Sequence, residues 1–312
     1  NFLPASLFNI VNRKNNARIA RWIVEQATAL GFKNYIHLID TDIYRSRYLK
    51  EYIHPAVSIY YRRDYIIGEA YWRRHGTRLE PELAASANIV LANSTRFAAE
   101  LQPYNPHTYP IETGVNLELY NPAKKYETPG DMQDIPRPII GYMGTINSTR
   151  LDGELLYQII SQRPDYSFVF TGPEDDIFRR NRIHSLKNAY FTGQKKVDEL
   201  PAYIAAYDVC INPQMVNEIT DGNYPLKIDE YLAMGKPTVA TSTHTMRNIF
   251  AGHTHLAINP EEWLAAIDRA VTEADDKELA KQRIAFAETH SWGHSVKKIY
   301  EIIDSFLKKK TT

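Results

Sequence analysis

The chain has 312 residues, long for a single core and suited to two α/β domains of roughly 100 to 200 residues each. Its 37 Lys+Arg balance 37 Asp+Glu, which excludes a global basic field that would recruit nucleic acid, and its single cysteine, Cys210, excludes an internal disulfide and a thiol-ligated metal cluster. No apolar stretch approaches the roughly 18 residues that span a bilayer, and Asn1-Phe2-Leu3-Pro4 lacks a basic-then-apolar signal pattern, so a soluble protein of a reducing, cytoplasmic compartment is expected.

From Asn12 to Leu30, apolar residues at Ala17, Ala20, Ile23, Val24, Ala27 and Leu30 recur at helical spacing, and Gly31 supplies the stop. Because the chain starts without Met and its first clear element is a helix, the N-terminal domain is expected to be incomplete at its start. Short apolar runs then alternate with helical patterns: Tyr35 to Ile39, Val57 to Tyr61, a helix near Glu80 to Ala87, Ile89 to Ala92, and a helix over Thr95 to Leu101. That rhythm reads as βα units of a parallel sheet.

Between Leu119 and Pro138 the periodicity lapses and Asn121-Pro122, Pro129-Gly130, Pro136 and Pro138 gather, the composition of a linker. The second half restarts with Ile139-Ile140-Gly141-Tyr142-Met143-Gly144, a strand entering a glycine turn, and a helix from about Leu151 to Gln162. Strands at Ser167 to Thr171, Ala189 to Phe191, Asp208 to Ile211 and Pro237 to Ala240 continue it, separated by helices, giving a nearly complete doubly wound sheet. Helices over Glu261 to Glu273 and Lys277 to His290 precede a terminal amphipathic helix carrying Val296, Ile299, Tyr300, Ile303, Phe306 and Leu307. The expected organisation is an N-terminal Rossmann-like domain over 1–124, a C-terminal one over 125–292, and a terminal helix, 293–312, packing back toward the first.

The most specific segment runs from Asn223-Tyr224-Pro225-Leu226-Lys227 through Glu230-Tyr231-Leu232-Ala233 to Gly235 and Pro237-Thr238-Val239. A helix opening around Pro225 and closing at Gly235 hands directly to a strand. Its N-terminus offers free N–H groups and a positive dipole end, which suits a diphosphate, with Lys227 adding a charge in the first turn. Glu230, one turn on, can accept hydrogen bonds from ribose hydroxyls.

This segment resembles the donor-nucleotide motif of GT-B glycosyltransferases of the family-four-like kind (glycosyl transferases group 1). Other pieces fall in that family's order: Gly141 to Ile146 resembles its first C-domain strand and loop, Phe168 to Pro173 its second, Phe191-Thr192-Gly193-Gln194 the loop beside the base, and Ala87 to Ser94 with Glu112 to Asn116 its N-domain segments. The resemblance implies two Rossmann-like domains and donor-binding roles for Gly144, Thr145, Arg150, Gly172, Gln194, Tyr224, Pro225, Leu226, Lys227 and Glu230. It implies no cofactor: the co-substrate is a nucleotide sugar, UDP- or GDP-linked, and the acceptor a saccharide or lipid-linked saccharide.

Two departures stand out. Gly222 occupies the position where many relatives with retaining chemistry carry the first carboxylate of a Glu-x7-Glu pair, with Asp221 adjacent, and the relatives' phosphate clamp is represented by Arg150 and Lys227 alone, with Asp152 and Glu154 nearby. As the sugar leaves, charge grows on the diphosphate, and fixed cations and helix dipoles can stabilise it without a metal. Were the reaction inverting, a base would take the acceptor proton; Asp64, after the strand Val57 to Tyr61, is the candidate. Lys227, Arg150 and Asp64 form the catalytic set.

Blander readings accompany these. Asp40-Thr41-Asp42 mimics the metal-binding Asp-x-Asp of the other glycosyltransferase fold, but that fold places a nucleotide-binding half before the motif, and only about 40 residues precede it. His37, His54 and His107 are scattered singly and read as non-ligands. Tyr44, Tyr48, Tyr60, Tyr61, Tyr65, Tyr71 and Trp72 suit a saccharide platform or a packed core equally. Lys308-Lys309-Lys310 on the last helix would give weak peripheral contact with an anionic leaflet. The alternatives to a transferase are a nucleotide-sugar epimerase of the same fold and a non-catalytic sugar or nucleotide binder.

Overall fold

The computed structural model describes residues 3–311, and the side chains of Lys310 and Thr311 lie outside that description. The chain divides into two units, one running as far as Glu112 with Gly222–Tyr224 and the residues from Lys297 onward, the other comprising Thr113–Asp221 and Pro225–Val296. The stretch 113–138, which holds the proline-rich linker composition, thus belongs with the second unit.

In the first unit α1 (Ala5–Ala29) leads to β1 (Ile36–Asp40), α2 (Leu49–Ile53), β2 (Val57–Arg62), α3 (Ala70–Ser86), β3 (Ile89–Ala92), α4 (Thr95–Leu101) and β4 (Thr108–Pro110). The strands form a parallel sheet in the order β1-β2-β3-β4, with Leu38 beside Ile59 and Tyr60 beside Val90. Every residue of β2 and β3 is buried, as expected of near-continuous apolar runs covered on both faces, whereas the edge strand β1 leaves Ile36 and Leu38 exposed. One face packs Ile39, Ile43, Tyr60, Leu79, Leu83 and Val90; the other packs Val57, Ile59, Tyr61, Ile89 and Leu91 with Ile303 from the last helix. Tyr44, Tyr48, Tyr60 and Tyr61 are buried, so packing accounts for them, while Tyr71 is exposed.

Two helices exceed their sequence signals. α1 starts at Ala5, seven residues before Asn12, and α3 begins ten residues before Glu80. In α3 the buried positions His75, Gly76, Leu79 and Leu83 keep helical spacing, but Arg73 and Arg74 before them and Arg78 among them mask the apolar stripe. At the C-terminal end of β2, Arg62 is buried between Glu80 (3.4 Å) and Glu100 (3.0 Å) and stacks on Phe97, 4.4 Å from the ring centre. Tyr60 donates a 2.7 Å hydrogen bond to Glu80, so that buried carboxylate meets both the hydroxyl and the guanidinium, while Arg62 is compensated by charge.

The second unit contains β5 (Ile139–Met143), α5 (Gly153–Ser161), β6 (Ser167–Thr171), β7 (Ala189–Gly193), α6 (Leu200–Ala206), β8 (Val209–Asn212), α7 (Leu226–Ala233), β9 (Thr238–Thr241), β10 (His255–Ala257), α8 (Pro260–Thr272), α9 (Lys277–Thr289) and the start of α10 (Trp292–Thr311). Its sheet is parallel throughout in the order β10-β9-β8-β5-β6-β7. Tyr142, Phe168, Phe170, Val209, Ile211 and Trp263 belong to one core. β4 and β10, three residues each, are too short to show as sequence periods and were not anticipated.

That strand order places the functional region. From β5 the chain runs outward through β6 and β7, then crosses back to pair β8 on the other side of β5. β5 and β8 therefore flank the topological switch point, where the crevice beyond the strands' carboxyl ends forms the ligand site of doubly wound sheets.

Candidate active site

At the carboxyl end of β5 the chain turns through Gly144, and at that of β6 through Gly172. The two turns touch. Gly144 N–H donates to the Thr171 carbonyl (2.9 Å), and a Cβ on Gly172 would lie 2.0 Å from the Gly144 oxygen. Both glycines have positive φ, 132° and 149°, so backbone angle and contact alike exclude a side chain.

α7 enters the same end of the sheet. Pro225 occupies its N-cap position, just ahead of the first turn, and Gly235 closes it with backbone bonds to Leu232 and, through Lys236, to Tyr231. Tyr231 reaches β5, its hydroxyl accepting from Met143 N–H at 2.8 Å, which fixes the helix against the strand. From the first turn the half-buried Lys227 extends over the Gly144 turn: its ammonium donates to the Tyr142 hydroxyl (2.6 Å) and lies 3.9 Å from that ring's centre. A Cβ on Gly144 would stand 2.9 Å from Lys227 Nζ, so the glycine makes room for the ammonium.

Burial lowers the Lys227 ammonium to about 7, with Glu230 opposing the shift and Arg150 adding to it. Burial raises the Glu230 carboxyl to about 7, opposed by a hydrogen bond from Tyr120 and by Lys227 and reinforced by Asp229. Burial thus draws two groups of opposite sign toward neutrality, one turn apart on α7. Behind them Asp229, wholly buried, lies 3.3 Å from His290 at the end of α9, which ties α7 to that helix.

The anticipated residues separate into groups. Gly144, Thr145 and Arg150 lie in the loop after β5, Gly172 in the turn after β6, and Pro225, Leu226, Lys227 and Glu230 at or on α7, all in the second unit. Thr145 and Arg150 are exposed, and Arg150 acts on Lys227 through charge alone. Gln194, also exposed, follows Gly193 at the end of β7, where Thr192 donates to Thr171 at 2.8 Å. Tyr224 and Asp64 fall in the first unit, Tyr224 buried and Asp64 half-buried in the bend after β2. Asp152 caps α5 through Leu155 N–H (3.0 Å), and Glu154 pairs with Arg182, so both nearby acids have structural partners.

At the Gly222 departure, a Cβ would lie 2.8 Å from Phe97 Cε1 and 2.9 Å from Arg96 Cδ. The adjacent Asp221 accepts from His244 N–H at 2.8 Å, holding the loop that leads into 246–250. Asp40 faces Arg63 and Asp42 faces Arg45, each at 2.7 Å, so the Asp-x-Asp look-alike is engaged in ion pairs. Two partners escaped the sequence: Tyr142, apparent only as a strand residue, and Tyr120, which sits in the stretch read as linker yet hydrogen-bonds Glu230. No local pattern could have singled out either.

Residues 137–273 match the family model described as Glycosyl transferases group 1. Over 188 residues the chain is 27% identical to the putative teichuronic acid biosynthesis glycosyltransferase TuaH of Bacillus subtilis (strain 168), covering 58% of this chain and 47% of that protein. The match thus spans about half the length of that curated relative. Among solved structures, Anabaena HepE in complex with UDP is similar with a TM-score of 0.73 at 16% identity, covering 92% of this chain and 82% of that one. Sucrose-phosphate synthase from Thermosynechococcus elongatus follows at 0.68 and 18%, covering 93% and 78%. The fold they share with this chain is the two-Rossmann-domain GT-B fold.

Proposed function

We propose that this chain, whose residues 137–273 carry the glycosyl transferases group 1 match, moves a sugar from a nucleoside diphosphate to a saccharide acceptor in polysaccharide assembly. The observation that carries the reading is the Lys227–Gly144 arrangement at the switch point: a helix N-terminus and a glycine turn, with an ammonium held over that turn. The polysaccharide role is supported by the teichuronic acid relative, and a uridine diphosphate sugar by the UDP and UDP-glucose complexes of HepE.

In this mechanism the diphosphate lies across the Gly144 and Gly172 turns, beside the Lys227 ammonium. Lys227, with Arg150 from the loop after β5, stabilises the charge that develops on the leaving phosphate, and Glu230 accepts hydrogen bonds from the ribose. We assign no metal to this step, because the groups beside the turn that offset phosphate charge are cations. Asp64 is the proposed base for the acceptor hydroxyl if the transfer inverts the sugar's configuration. A lipid-linked acceptor is part of the proposal, resting on Lys308 and Lys309 of the last helix; no helix among the described residues is long and apolar enough to cross a membrane.

The test is calorimetric titration of uridine, guanosine and adenosine diphosphates without added metal, against wild type and Glu230→Ala. One nucleotide should bind, and the variant should lose about 1.5–3 kcal/mol, the worth of a hydrogen bond to a charged group. Failure of all three to bind wild type would sink the donor-site reading.

A further inference from the structure

Tyr142 serves none of the roles assigned so far, yet it is the residue that Lys227 touches. Its ring is buried in the core of the second unit beside Phe170, which fixes its place on β5. Its hydroxyl emerges at the strand end, accepts from Lys227 Nζ at 2.6 Å and donates to the Thr145 carbonyl at 3.0 Å. One oxygen thus joins the ammonium of α7 to the turn that follows β5. The ammonium also lies against the ring face, a favourable place for a cation withdrawn from water.

We infer that Tyr142 is a positioning residue for donor binding: it keeps Lys227 charged and aimed across the Gly144–Thr145 turn before the diphosphate arrives. This rests on the donor-site reading above. A lysine side chain otherwise has several rotatable bonds to order on binding, and a fixed acceptor removes that cost in advance. The hydroxyl acts on the charged form specifically, since a neutral amine gains less from a hydroxyl acceptor than an ammonium does. The charged groups acting on Lys227 are Glu230 on its own helix and Arg150 from the loop after β5; the hydroxyl of Tyr142 meets it from β5.

Tyr142→Phe retains the ring and removes the oxygen. Without that acceptor the ammonium releases its proton at lower pH, so donor affinity falls earlier as pH rises. UDP titrations of both proteins at pH 6 and pH 8 should therefore show a small difference at pH 6 and a loss of about tenfold at pH 8. Glu230 titrates in both proteins, so the ratio between them isolates the hydroxyl. Lysine Cε–H NMR should show the Lys227 midpoint displaced downward in the variant, a change that a purely structural role would not give.

An equal loss at both pH values, or an unmoved midpoint, would overturn the assignment. Lys227→Met separates the two layers. If it binds UDP as wild type does, the donor reading and this inference fall together; if it binds weakly while Tyr142→Phe shows no pH-dependent loss, only the role of Tyr142 falls. Should Tyr142→Phe not fold, the wild-type Lys227 signal still decides: no through-space contact between its Cε protons and the Tyr142 ring refutes the arrangement.

Discussion

The Cβ that Gly172 lacks would stand 2.0 Å from the carbonyl oxygen of Gly144, so the turns that end β5 and β6 are in contact through two residues without side chains. Both also have positive φ. Gly172→Ala is expected to lower stability by about 1–3 kcal/mol, the range for forcing extra volume into a packed site. Urea unfolding measures it; a midpoint unchanged from wild type would show that the turns separate freely.

The site's charge pair makes stability depend on pH in a way with a definite sign. Glu230 has its folded-state value raised from 4.5 to about 7. Its contribution is fully present below pH 4.5 and is lost as pH rises through 7, because the folded state holds a proton that the unfolded chain has released. Glu230→Gln should therefore show a shallower fall in stability between pH 4.5 and 7 than wild type, measured by chemical denaturation across that window. Parallel curves would contradict the buried placement of the carboxyl.

Lys227 and Arg150 repel one another across the same turn, Arg150 contributing to the lowered value of the ammonium. Arg150→Gln should raise the Lys227 midpoint above about 7 in a lysine NMR titration, while weakening UDP binding through loss of the second cation. A raised midpoint with unchanged affinity would remove Arg150 from the proposed phosphate clamp.

Restoring a carboxylate at the Gly222 position should fail. The side chain would meet the ring of Phe97 at 2.8 Å and the arm of Arg96 at 2.9 Å, and Phe97 is fully buried. Gly222→Glu is expected to cost about 1–3 kcal/mol and to yield no gain in kcat/KM for a UDP-sugar. A stable and faster variant would show that the two side chains give way, and that the position still accepts the group many relatives carry.

What the sequence determined by itself was whatever is local. Parallel strands buried on both faces must be near-continuous apolar runs, so Ile139 to Met143 and Ser167 to Thr171 were legible, and so was α7, because its first-turn lysine, its glutamate one turn on and its closing glycine lie within eleven residues from Pro225 to Gly235. Elements whose stripe is interrupted by arginines, as in α3, or that last only three residues, as in β10, were obscured because the signal is a repeat and needs length and uninterrupted contrast to show. Only the tertiary structure decided which side chains meet at the switch point. Tyr142 and Lys227 stand 85 positions apart, and Tyr120 reaches Glu230 from a stretch with no periodicity of its own. Their partnerships depend on strand order and on how α7 seats against β5, and the resulting burial, rather than residue type, is what draws a lysine and a glutamate toward the same pH.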